Sequence, residues 1–341
     1  MTRTVILHVG LHKTGTTAIQ EALSTYRSAG HNVLRLTSAN HSHDMVLMFC
    51  GHRDAQHLVR VGRLRHAEDA PAEAARLKVQ ALRQFRETPG DFIISGEEIS
   101  ARFKPDDIRE LKEFLAPHFQ RIRVIAYVRE PLSYMRSAFQ EVAKKRQIGF
   151  DMEPYFPHYR RRLKGWVDIF GRDAVTVLPY DRKRLRGGSA VEDFAAQVGI
   201  TLAAPPASRA NETLTAEALA TVFRLRRELE DPGLGAWARA WRNAAIHSIG
   251  GFGTRPFVLA ASACRATLER NADEIAWIED VLGAPLPPAE APPAGALEIA
   301  VEDDLAELGE SCRPEFEAWA RRNLVALRAP RFLVRAWRGK P

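Results

Sequence analysis

Near the start of the chain a lysine, two glycines and a run of threonines fall together, in Val5-Ile-Leu-His-Val-Gly10-Leu-His-Lys13-Thr14-Gly15-Thr16-Thr17-Ala-Ile-Gln20. Such a set captures anions. A strand, a glycine loop and a helix in succession aim free backbone N–H groups and the positive end of a helix dipole at a negative group. Gly15 lets the backbone approach closely, and the hydroxyls of Thr16 and Thr17 are placed to donate to phosphate oxygens. Gly10 and Gly15 keep the G-x-x-x-x-G spacing of a nucleoside-triphosphate loop. Thr16, however, stands where that motif needs lysine, and the lysine lies inside the loop at Lys13. The displaced lysine suggests a donor with a different anionic group beyond its first phosphate.

A second set could move a proton. Gly96-Glu97-Glu98-Ile-Ser100 follows the apolar run Phe92-Ile-Ile-Ser95. Ligands of open α/β sheets bind at the C-terminal ends of strands, and a carboxylate there can serve as general base toward a sugar or other hydroxyl. Glu97 is the preferred base. Glu98 and Ser100 also read as capping residues of the next helix. His41-Ser42-His43-Asp44 places two histidines and an aspartate together, but no further Cys/His pair lies at ligand spacing, so no metal is expected. Ser42 or Asp44 reads as a helix cap, and a histidine such as His43 as facing the acceptor.

These residues need a scaffold that presents strand ends. Apolar runs predict strands over Val5–Val9, Phe92–Ser95, Ile122–Val128 and Ala174–Leu178, with a short one within His31–Leu36. Helical periodicity predicts helices over Ala70–Glu87, Pro105–Pro117, Tyr155–Phe170 and Ser189–Val198, and another starting at Leu132. The basic, histidine-rich residues 52–70 read as a surface loop or irregular insertion. The Arg160-Arg161-Arg162 run reads as a solvated face. Further on, Thr215–Glu230 and Pro256–Leu282 read as helices, and residues 37–70 and 235–255 as specificity loops.

The loop resembles the phosphosulfate-binding loop of the sulfotransferases that use phosphoadenosine phosphosulfate (PAPS). Their second signature is a strand ending in arginine with a serine eight residues on. Here it is Val124-Ile-Ala-Tyr-Val128-Arg129-Glu-Pro-Leu-Ser-Tyr-Met-Arg-Ser137. Ser95-Gly-Glu97 and Arg209-Ala-Asn211-Glu-Thr-Leu214 also resemble bacterial members. The likeness runs from Thr4 to about Leu214. It implies a P-loop-type α/β fold, a central parallel sheet flanked by helices, with a helical C-terminal extension. It implies that Lys13, Thr14, Gly15, Thr16 and Thr17 hold the phosphosulfate, Arg129 and Ser137 the ribose phosphate, and Glu97 takes the acceptor proton. The acceptor would be a hydroxyl of a carbohydrate or glycolipid. Some members acting on polysaccharides use a glutamate as base, and the cytosolic ones a histidine. The late Arg-Lys-Gly loop of the cytosolic members has no counterpart; Gly250-Gly-Phe-Gly253-Thr-Arg255 is the candidate substitute.

On this reading residues 1–283 form the sulfotransferase-like domain, with a core over 4–214 and a helical part over 215–283. A Pro/Ala-rich linker spans 284–298 and a helical extension 299–341. The 341 residues are ample for a large core, with 45% hydrophobic and 27% charged residues. The net charge of +7 suits anionic ligands. Three scattered cysteines speak against a disulfide framework. A signal peptide and a membrane span are not expected, which predicts a soluble cytoplasmic protein. The basic, aromatic Arg328–Arg338 segment could touch a membrane surface; nucleic acid is not an expected partner. The rival classes are a P-loop kinase or NTPase and a non-catalytic polyanion or nucleic-acid binder.

Overall fold

The computed structural model describes residues 2–28, 30–145, 148–203, 214–229, 233 and 235–323. The Arg209–Thr213 part of the likeness and the Arg328–Arg338 segment lie outside the described residues.

The described residues divide into two compact units. The first draws on Met1–Pro131, Pro157–Ser208 and Asn271–Pro288, the second on Leu132–Phe156, Arg209–Arg270 and Ala289–Pro341. The strands are β1 (Thr4–His8), β2 (His31–Val33), β3 (Asp91–Ser95), β4 (Arg121–Val128), β5 (Val175–Pro179), β6 (Phe257–Leu259) and β7 (Leu297–Ile299). The first seven helices are α1 (Thr16–Thr25), α2 (Ser42–Arg60), α3 (Ala70–Glu87), α4 (Glu97–Arg102), α5 (Pro105–Leu115), α6 (Pro131–Lys145) and α7 (Tyr159–Phe170). The remaining ones are α8 (Ala190–Val198), α9 (Ala216–Leu229), α10 (Ala236–Ser248), α11 (Ala261–Arg270), α12 (Ala272–Leu282), α13 (Glu302–Ser311) and α14 (Arg313–Asn323).

The first unit holds a five-stranded sheet in the order β2-β3-β1-β4-β5, parallel throughout. β1 is central and every one of its residues is buried, as a strand covered on both faces requires. Side chains alternate between the faces. Ile6, Ile93, Ile125 and Tyr127 pack with Ile19 and Leu23 of α1 and Phe194 of α8. On the other face Phe92 meets Phe85 of α3, with ring centroids 5.1 Å apart. The chain leaves β1 toward β2 and leaves β4 toward β5. The winding therefore reverses between β1 and β4, where doubly wound sheets open a crevice at their C-terminal edge. The register sets His8 level with Ser95 and Ile125, so β4 runs three residues farther, to Val128.

Helix ends follow local chemistry. Ser189 caps α8, its hydroxyl accepting from the Glu192 N–H at 3.5 Å, and Gly199 closes that helix in the left-handed region. Pro105 sits in the first turn of α5.

Residues 52–60, expected to be irregular, belong to α2. Arg53 pairs with Asp107 at 2.7 Å, while Leu58 is fully buried. The first two-thirds of residues 235–255 form α10 rather than a loop.

In the second unit, α9 packs against α10 and α13. Phe252 meets Phe316, with centroids 5.5 Å apart. The single helix expected over Pro256–Leu282 is instead β6, α11 and, within the first unit, α12. β6 pairs in parallel with β7, each residue with one 40 positions on, a partner that local periodicity cannot reveal, and the two helices part at Asn271. Arg255 of the glycine-rich stretch donates to Glu217 at 2.8 Å.

Candidate functional site

The loop between β1 and α1 is built around two unusual backbone positions. Lys13 has φ 68° and Gly15 φ 79°, a region that costs a side-chain-bearing residue roughly 1–2 kcal/mol. A Cβ at Gly10 would lie 2.1 Å from Cγ2 of Thr16, and one at Gly15 would lie 2.6 Å from Cβ of Ala190. Both glycines are therefore required by close approach. Thr14 is fully buried, and its hydroxyl donates to the Leu11 carbonyl at 2.6 Å, tying the loop to itself. No side chain caps α1, so its first-turn N–H groups remain for an anion. Thr17 is exposed and Lys13 half-buried beside them.

Thr16 departs from expectation. Its hydroxyl donates to Oε2 of Glu97 at 2.5 Å. β3 ends beside β1, and the Gly96 N–H donates to the His8 carbonyl at 3.0 Å; this places the start of α4 against the loop. Ser42 holds that start. Its hydroxyl accepts from the N–H groups of Glu97 and Glu98 at 2.9 and 3.3 Å. Ser42, one of the two expected helix caps, thus serves the N-terminus of α4, a helix 55 residues further along the chain. Asp44 accepts from Thr37 and Arg63.

The two glutamates have different surroundings. Among the described residues Glu97 has Thr16 as its side-chain partner on one oxygen. Glu98 has both oxygens engaged, with His12 Nε2 at 3.3 Å and Arg102 Nε at 2.7 Å. Burial pushes the Glu98 carboxyl up, but His12 and Arg102 outweigh it and hold it down to about 2. Arg102 also reaches Asp54 and His57. Glu98 is thus a fixed anion, and Glu97 is the carboxylate with an oxygen to spare.

Two histidines are internal struts. His41 accepts the Ser95 N–H on Nδ1 at 3.0 Å and donates from Nε2 to the Leu34 carbonyl at 2.6 Å. His8 meets the Ser95 hydroxyl at 2.8 Å. Burial pushes both imidazoles down to about 4, so they are neutral near pH 7.

Arg129 directly follows β4. Its guanidinium carbon lies 5.8 Å from the ring centre of Tyr180, within cation–π range. Tyr180 also comes within 3.3 Å of where a Gly15 Cβ would be. One aromatic ring, after β5, therefore borders both the anion loop and Arg129. Ser137 is half-buried on α6, within the second unit. Arg162, read as part of a solvated face, is half-buried and donates to Nδ1 of His12 at 3.4 Å.

No protein-family model matches the chain, and no curated protein matches it significantly in sequence. Three solved structures similar to it are sulfotransferases. One is the sulfotransferase from Alicyclobacillus acidocaldarius, 16% identical with a TM-score of 0.38, covering 72% of this chain and 97% of that one. Another is the sulfotransferase domain of the Synechococcus PCC 7002 olefin synthase, 12% identical with a TM-score of 0.36, covering 91% and 94%. The third is the sulfotransferase domain from the curacin biosynthetic pathway, 12% identical with a TM-score of 0.35, covering 84% and 99%. Among the described residues no helix is long and apolar enough to cross a membrane.

Proposed function

We propose that this protein is a PAPS-dependent sulfotransferase that transfers a sulfuryl group to a hydroxyl of a carbohydrate or glycolipid. The observation that carries the reading is the Thr16–Glu97 hydrogen bond, which sets a carboxylate against an anion-binding loop whose lysine is at position 13. A nucleoside-triphosphate loop would need lysine at position 16. A carboxylate one hydrogen bond from the loop suits a reaction that removes a proton from a hydroxyl beside an anionic donor.

PAPS would supply an activated sulfuryl group. The cradle at Gly10, the uncapped first turn of α1 and the half-buried Lys13 suit its phosphosulfate. Arg129 is assigned to its ribose phosphate. Lys13 would neutralise the charge left on the phosphate oxygen, which takes the electron pair of the breaking S–O bond. Glu97 would accept the acceptor's proton on its second oxygen as that acceptor's oxygen bonds to sulfur.

The test is a thermal-shift titration with phosphoadenosine phosphate, the desulfated product, against ATP with magnesium. A ligand that binds only the native state raises apparent stability, by ~2.7 kcal/mol at a hundredfold excess over its dissociation constant. A shift with the bisphosphate that weakens in Arg129→Ala is expected. A shift with ATP and magnesium alone would replace this reading with a kinase.

A further inference from the structure

Three consecutive arginines open α7, and the fold treats each differently. Arg160 pairs with Asp273 at 3.5 Å. Arg161 is exposed. Arg162 is half-buried and, among the described residues, has no carboxylate partner; its Nε is buried without a hydrogen bond. Its contact is His12, inside the anion loop and next to Lys13. A half-buried guanidinium without a counter-ion, its Nε shielded from water and unbonded, gains from an arriving oxyanion.

The neighbouring charges fix where that oxyanion would sit. Arg162 donates to Nδ1 of His12, so His12 carries its proton on Nε2 and donates to Glu98. Glu98 is balanced by Arg102. Arg162 lies across the imidazole from this carboxylate, and Glu98 does not neutralise it. The donor's phosphosulfate already has Lys13 and the uncapped turn of α1. Arg162 is a further cation at the rim of the same loop.

We propose that Arg162 receives an oxyanion carried by the acceptor, so that the hydroxyl substrate is an acidic one bearing a carboxylate, phosphate or sulfate. This rests on the sulfotransferase reading and narrows its acceptor to anionic compounds. The guanidinium fork would hold the oxyanion bidentately, and His12 would hold the fork in place.

The experiment is isothermal titration of the full chain, saturated with phosphoadenosine phosphate, with sulfate, phosphate and glucuronate, and with glucose as the neutral control. Saturable binding of at least one anion but not of glucose is expected. Arg162→Gln should weaken it at least tenfold, Arg162→Lys less, and Arg161→Gln by less than twofold. The three anions report which oxyanion is preferred. Absence of saturable anion binding, or equal binding in Arg162→Gln and Arg162→Lys to that of the unaltered protein, overturns the proposal. Equal weakening in Lys13→Ala also overturns it, since the anion would then occupy the position of the transferred group. If the bisphosphate itself does not bind, the donor reading fails. The same anion titrations on Lys13→Ala, with and without Arg162→Gln, then decide the Arg162 site by themselves.

Discussion

The hydroxyl of Thr16 donates to Glu97 across 81 residues of sequence, at 2.5 Å. This bond joins the first turn of α1 to the first turn of α4 and fixes one oxygen of Glu97. Removing the carboxylate's charge while keeping its shape separates chemistry from binding. Glu97→Gln is expected to lower turnover by about 10²–10⁴-fold, the usual worth of a general base, with bisphosphate affinity changed by less than about threefold. Single-turnover rates and calorimetry check both halves. Loss of turnover in Glu98→Gln with Glu97→Gln active would reassign the base.

Lys13 combines a chemical role with a strained backbone. Lys13→Ala and Lys13→Gly should both lose about 10²–10³-fold in turnover, as when a group that stabilises transition-state charge is removed. They should differ in stability. Glycine accepts a φ of 68° without steric cost, so Lys13→Gly should be the more stable of the two, by about 1 kcal/mol. Equal urea midpoints would show that the loop relaxes around alanine.

Gly10 has no room for a methyl group. Gly10→Ala would drive a Cβ against Thr16, whose position sets Glu97. It should destabilise the fold by about 1–3 kcal/mol through overpacking and lower turnover together with bisphosphate affinity. Gly62 is the converse case: its φ of 74° disfavours a side chain, but an added Cβ there meets nothing within 4 Å. Gly62→Ala should cost stability alone.

Buried neutral histidines make the fold acid-sensitive. His8 and His41 are pushed by burial from 6.5 down to about 4. Between these values the unfolded chain binds protons that the folded chain refuses. Stability therefore falls as pH drops from about 6.5 toward 4, by at most ~3.4 kcal/mol per histidine at 1.36 kcal/mol per unit. Glu98 acts lower: its carboxyl is held down to about 2, so its contribution is full above about 4.5 and is lost as pH falls toward 2. His8→Met should be less stable at pH 7, because the Ser95 hydroxyl loses its partner, yet show a shallower decline to pH 4.5. Urea midpoints across that range check the slope, and an unchanged slope would exclude His8 as its source.

What the sequence determined by itself was local. The apolar run of β1, the glycine spacing of its loop, the strands near Phe92 and Ile122 and the helix over Ala70–Glu87 all follow from patterns within about twenty residues. So does the presence of Lys13 within the loop and of Arg129 at a strand end. The tertiary structure decided what depends on partners far away in the chain. It distinguished Glu97 from Glu98, because the difference lies in Thr16, His12 and Arg102. It showed which helix Ser42 caps, the distant α4. It made a helix of residues 52–60, since Asp107 balances Arg53, and split Pro256–Leu282, since β6 needs β7. It separated Arg162 from two neighbouring arginines of the same type. Hydrophobic period and turn chemistry act between near neighbours, whereas ion pairing, desolvation and strand partnership act between residues that only folding brings together.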